Sequence, residues 1–184
     1  MQKKAKNILT VIAVVLLVII AAYATRHNEA QAPTVSQEIT KAPGGLIPTR
    51  NTPSGISFNY PESFGTQYVT ATDWPPQVRV LDTSYSCADE GSQTGPSGRT
   101  EKRIIEGTEH CVTTLSEGAA GSTYTTYSYV FEKDKKTVEI SFTARSVQCL
   151  NYDEPQATRC QAEQKLFNAD DFAASVARSL TLPK

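Results

Sequence analysis

From Thr137 to Val147 the chain alternates between two kinds of side chain. Val138, Ile140, Phe142 and Ala144 are apolar, and the intervening Glu139, Ser141, Thr143 and Arg145 are polar. Successive side chains of a strand point to opposite faces, so this pattern describes a strand with one dry and one wet face. The preceding segment, Thr123–Glu132, behaves alike: Tyr127, Tyr129 and Phe131 share one face, Tyr124 and Val130 the other. Only the short polar segment Lys133-Asp134-Lys135 separates the two runs, which predicts an antiparallel hairpin. A sheet with one apolar face must be covered by something.

The C-terminus supplies a cover. Asn168 can cap a helix whose first turn holds Asp170 and Asp171, where the helix dipole favours acids. Phe172, Val176 and Leu180 recur every four residues, joined by Ala173 and Ala177, as one apolar stripe. A second helix fits 154–166, with Pro155 tolerated in its first turn. Upstream, Ile56, Phe58 and Tyr60 alternate within Gly55–Pro61, and further strands are predicted at 67–70, 77–81, 102–106 and 110–115. Residues 84–100 form a polar Gly- and Ser-rich loop around Cys87. The expected fold class over residues 55–184 is α+β, an antiparallel sheet with helices packed on one or both faces. No internal repeat is present.

The N-terminus decides where this domain works. Ile8–Ala24 carries no charge, shows no polar helical face, and follows Lys3, Lys4 and Lys6. As a helix it would be about 25 Å long, at the short end for a membrane span. It is long for the apolar part of a cleaved signal, although Ala22-Tyr23-Ala24 reads as a small-x-small cleavage site. The expectation is a retained transmembrane anchor at 8–24 with residues 1–7 in the cytoplasm and the rest outside. The alternative is secretion after cleavage near Ala24. Residues 25–54, with their prolines and Gly44-Gly45, read as a linker.

The four cysteines, Cys87, Cys111, Cys149 and Cys160, all follow the anchor. An even count in an exported domain reads as two disulfides. Three pairings are possible; Cys149–Cys160, closing a local loop, with Cys87–Cys111 is the expected one. Zinc would want a C-x-x-C pair, and there is none.

No catalytic constellation emerges. Gly95-Pro96-Ser97-Gly98 is one residue short of a nucleophile elbow and lies in a loop. His110 stands alone in the domain, and its neighbour Cys111 must face the other way on a strand. The acid pairs 89–90, 153–154 and 170–171 are adjacent in sequence, whereas glycosidase chemistry needs carboxylates converging across a cleft. Calcium at Asn151, Asp153 and Glu154 would lack the usual alternating loop. No catalytic residue, metal or cofactor is therefore assigned. A net charge of −1 without a basic patch argues against nucleic acid. The candidate recognition surface is Tyr124, Tyr127 and Tyr129, because tyrosine suits interfaces; the alternative places these rings in the core with their hydroxyls at its rim.

The opening stretch GISFNYP, 55–61, and the closing DFAASVARSLTL, 171–182, with meandering strands between them, resemble the PsbP/Mog1-like domains of small exported bacterial proteins. The tryptophan usual a few residues after that proline is replaced here by Phe64. The resemblance implies an α/β/α sandwich in a largely non-enzymatic family of assembly and accessory factors, and carries no catalytic residues. The functional expectation is a membrane-anchored, non-enzymatic binding or assembly domain with an envelope protein as partner. The alternatives are an exported hydrolase, or a small-ligand carrier with a cavity among Tyr127, Tyr129 and Phe142.

Overall fold

Three tight turns reverse the chain without losing its register. Strand β5, Arg99–Ile105, returns as β6, Thr108–Ala119, across the pair Glu106-Gly107. Strand β6 returns as β7, Ser122–Lys133, across Ala120-Gly121, and β7 as β8, Lys136–Val147, across Asp134-Lys135. All six turn residues have positive φ, between 46° and 80°. Two-residue hairpins demand this because their backbone twist then matches that of the strands. The result is a four-stranded antiparallel meander, described in a computed structural model over residues 45–49, 54–88 and 98–183. These residues belong to the second of two compact units, Thr40–Lys184. The basic end 1–7, the apolar stretch 8–24 and most of the linker 25–54 lie outside the described residues.

Two short strands complete the main sheet along the free edge of β8. Strand β3, Val69–Ala71, pairs with residues 144–146, and β4, Gln77–Leu81, with residues 137–141. A separate ribbon pairs β1, Leu46–Pro48, with β2, Asn59–Pro61. Strand β1 falls inside the segment expected to be linker, so ordered structure begins before Gly55; three residues are too few to show a period. The meander strands β5 and β6 are also longer than expected; in β6 the polar stretch 113–119 has no sustained apolar alternation to mark it.

The parity read from the sequence holds in three dimensions. Val138, Ile140, Phe142 and Ala144 of β8 are all buried, beside Tyr129 and Phe131 of β7 and Val112 of β6. The helix α2, Ala169–Ser179, covers this face with Ala169, Ala173, Ala174 and Val176, and Leu180 follows at its C-cap. The Asn168 side chain accepts from the Asp170 N–H, the expected cap. Helix α1, Gln156–Leu166, serves elsewhere: Ala157 and Cys160 are its buried residues, and Cys160 packs with Tyr68 and Cys149 beside the end of β8. The Glu163 carboxylate of α1 accepts backbone N–H bonds from Gln67, Tyr68 and Val69, holding the entry to β3. The fold is thus a mostly antiparallel sheet with two helices, α+β.

Both disulfides form, Cys87–Cys111 and Cys149–Cys160. The second ties α1 to the short 3-10 turn at Cys149–Asn151. The two ends of the domain meet as well. Ser57 bridges Thr181, and the Asn59 N–H donates to Ser179 Oγ at 2.8 Å.

Ala120 holds a φ of 46° without the side-chain amide that makes asparagine tolerant of this region. Ala120→Asn keeps Gly121 as the second turn residue and should stabilise the domain by about 1 kcal/mol. Urea unfolding of the two proteins measures it, and an unchanged midpoint would show that the turn carries no such strain.

Candidate functional site

Tyr129, expected at a recognition surface or in the core, is 0% exposed. Tyr127 is half-buried and packs against the same core. Their rings stack with Phe142 at centroid distances of 5.4 and 6.0 Å and with each other at 6.4 Å. Tyr124 lies half-buried on the opposite face, facing Arg145 in the register. The three tyrosines therefore form no common surface, because parity sends Tyr124 one way and the other two the opposite way. The carrier reading wanted a cavity among Tyr127, Tyr129 and Phe142; these rings are in contact with one another instead.

The polar groups that do converge lie where α2 meets the sheet. Asp170, in the first turn of α2, accepts from the Tyr129 hydroxyl at 2.9 Å and from Arg103 Nη1 at 2.7 Å. Arg103 also pairs with Glu101 on its own strand. Burial, reinforced by the neighbouring Asp170 charge, pushes the Tyr129 phenol far above its ordinary pKa, so it stays protonated and donates. The cluster needs residues from β5, β7 and α2, and sequence spacing alone could not bring them together. Asp170 was legible only as a helix-start acid.

His110 sits beside this cluster on the covered face of β6 and is 2% exposed. Its ring lies 4.6 Å from that of Phe131. Nδ1 is 3.0 Å from the Thr108 carbonyl oxygen, which can only accept, so Nδ1 carries the hydrogen. Nε2 is then a bare acceptor, enclosed and without a partner among the described residues. Burial lowers the imidazole pKa; the Thr108 carbonyl and the Asp170 charge oppose the shift without overcoming it. Among the described residues no serine hydroxyl or carboxylate bonds to the ring. His110 lines a cleft of about 220 Å³ with Ile105, Phe131, Lys133, Ala174 and Arg178 among its walls. A second hollow, of about 420 Å³, shares Ile105, Glu106, Ala174 and Arg178 with it and extends to Asp170. The Glu106–Arg178 ion pair stands at this common wall.

The other face of the sheet carries polar ladders: Thr100 with Thr113, and Thr126 with Thr143. Glu139 is buried there between Ser128 and Arg79. Its burial disfavours the carboxylate, but the Arg79 guanidinium and the Ser128 hydroxyl outweigh this and hold its pKa below the usual range. Cys111 faces the same way and ties Cys87 to this side. Residues 89–97, including the Gly95–Gly98 motif up to Ser97, lie outside the described residues. Among the described residues no three His, Cys, Asp or Glu side chains gather as a metal site, and no helix is long and apolar enough to cross a membrane. No family model matches the chain, and neither a curated protein nor a solved structure matches it.

Two outcomes test this geometry. Tyr129→Phe deletes one of the two bonds to Asp170 and should cost about 1 kcal/mol in urea unfolding, since Arg103 still satisfies the carboxylate. For His110 the sign follows from its lowered pKa. The unfolded chain binds the proton more readily, so stability is complete above about pH 7 and declines as the pH falls through the unfolded value near 6.5. Between pH 8 and 5.5 the loss from this group is at most about 1.4 kcal/mol. A His110→Phe variant should lose correspondingly less over that range; equal losses would refute the assignment.

Proposed function

We propose that residues 55–184 form a non-enzymatic binding or assembly domain that works outside the cytoplasm, tethered to the membrane by residues 8–24. The observation that carries this reading is the pair of disulfides, Cys87–Cys111 and Cys149–Cys160, which suit an oxidising compartment. They agree with an N-terminus written as a lysine-flanked apolar anchor. The strongest polar cluster supports a binding role over catalysis: Asp170, Arg103, Glu101 and Tyr129 bond to one another and join α2 to the sheet. The resemblance to PsbP/Mog1-like accessory proteins belongs to this reading, and the meeting of its two marker segments at Ser57 and Thr181 is consistent with it. The partner is an envelope protein in the same compartment.

The experiment is crosslinking in intact cells, purification through a C-terminal tag, and mass spectrometry. One recurrent envelope protein, together with peptides covering Ile8–Ala24, is the expected result. A chain beginning at Thr25 with no recurrent partner would defeat both the tether and the binding role.

A further inference from the structure

We infer that the free edge of β5 pairs with the β5 edge of a second copy of this chain, antiparallel and centred on Lys102. The main sheet ends on two unlike edges. The edge beyond β8 is made of β3 and β4, three and five residues long. The opposite edge is β5, seven residues in unbroken register with β6 and without a proline. Short strands, prolines and bulges are common means of blunting an edge, and β5 uses none of them.

The backbone groups it offers follow from the turn. Across the two-residue turn Glu106-Gly107, Ile105 and Thr108 form a hydrogen-bonded pair, and such pairs alternate along an antiparallel ladder. Arg99, Glu101, Arg103 and Ile105 therefore turn their N–H and C=O groups to β6. Thr100, Lys102 and Ile104 turn theirs outward, where nothing among the described residues bonds to them. The described chain ahead of β5 is fastened inboard of this edge. Cys87 is tied to Cys111, and the Tyr85 hydroxyl donates to Glu109, both on β6.

Charge selects the occupant. Charged side chains guard an edge against most strands, but the order Arg-Thr-Glu-Lys-Arg-Ile-Ile complements itself. Directly opposed residues of an antiparallel pair share a face, so β5 can meet its copy only in registers that oppose odd positions to odd and even to even. A two-fold axis at Lys102 sets Glu101 against Arg103 of the second copy, and Thr100 against Ile104. Moving the axis by one residue sets Glu101 against Glu101, or Arg103 against Arg103, and like charges directly opposed are destabilising. The Lys102 register also places all three outward residues in hydrogen-bonded pairs. The two Lys102 side chains meet there, but each ammonium already lies 3.5 Å from a Glu109 carboxylate. Ile104, 70% exposed in the single chain, gains a neighbour in Thr100 of the second copy. Arg99 of that copy falls opposite Ile105, beside the hollow of about 420 Å³. There Asp171 accepts from the Asn168 amide and has no cation among the described residues. Two strands of this length bury less than a standard stable interface, so the pair is reversible. It needs neither the tether nor the envelope partner.

The test uses two variants of the full chain, Thr100→Cys and Ile104→Cys, carrying different tags and expressed singly and together in intact cells. In the Lys102 register residue 100 of one copy and residue 104 of the other have Cα atoms about 5.5 Å apart, within reach of a disulfide. Residue 100 lies about 14 Å from residue 100 of the other copy, out of reach. On a non-reducing gel the mixed culture should therefore show a dimer bearing both tags, and each single culture should show none. Lys102→Pro added to both variants deletes an outward N–H that β6 does not use, and should abolish the link while Cys87–Cys111 still forms. If that variant does not fold, the comparison of mixed and single cultures still decides. An absent mixed link, equal linking in the single cultures, or a link that survives Lys102→Pro in folded protein would overturn the pairing.

Discussion

The structure depends on parity. Strands repeat with period two, so a shift of one residue would carry every inward side chain to the outer face. Here three two-residue turns lock four strands together, and each turn fixes the register of the next. Once Ile140 points inward, Tyr129 beside it and Val112 beyond follow. The same rule separates neighbours of different chemistry on β6. Cys111 faces outward to meet Cys87, and His110 is thereby driven beneath α2. The disulfide on one face and the buried imidazole on the other are consequences of one register.

The seam between helix and sheet is held by polar as well as apolar contact. Ala173 and Val176 give α2 its close approach, but small side chains alone do not set how the helix is rotated or shifted. Asp170 does, because its carboxylate must reach both Tyr129 and Arg103. The carboxylate sits in the first helical turn, where the dipole already favours it, so the contacts cost little in desolvated charge. At the far end of the helix, Ser179 reaches β2 and the Leu180 side chain is buried. The segments 55–61 and 171–182 are thus joined in space although the whole meander lies between them in sequence.

Much of this was legible from local pattern. The alternation along Thr137–Val147 and Thr123–Glu132 declared the central strands and their inward faces, and Asn168 with the Phe172–Val176–Leu180 stripe declared α2. The α+β class followed from these, and the two disulfides from an even cysteine count. What stayed hidden depends on tertiary contact. Strand β1 is three residues long and has no period of its own. Glu163 gives no sign in sequence of the three backbone amides it serves. Tyr129, Arg103 and Asp170 are scattered along the chain, and only the folded sheet makes them neighbours. The tyrosine triplet was ambiguous for a different reason: the same alternation that marks a strand does not say which face is buried until the cover is known.

His110 poses a sharper energetic question. A phenylalanine at this position would stack on Phe131 as well as the imidazole does and would leave no polar atom behind. The Thr108 carbonyl satisfies Nδ1 only. Nε2 finds no partner among the described residues, and a buried acceptor left unpaired costs on the order of 1–3 kcal/mol, a large part of the margin by which a domain of this size is stable. Packing therefore does not account for a histidine here, and neither does the Asp170 cluster, whose bonds are complete without it. Residues that break a local rule without local compensation are the ones expected to serve function. The imidazole is an acceptor that burial holds neutral beneath α2, with the Thr108 carbonyl fixing its tautomer.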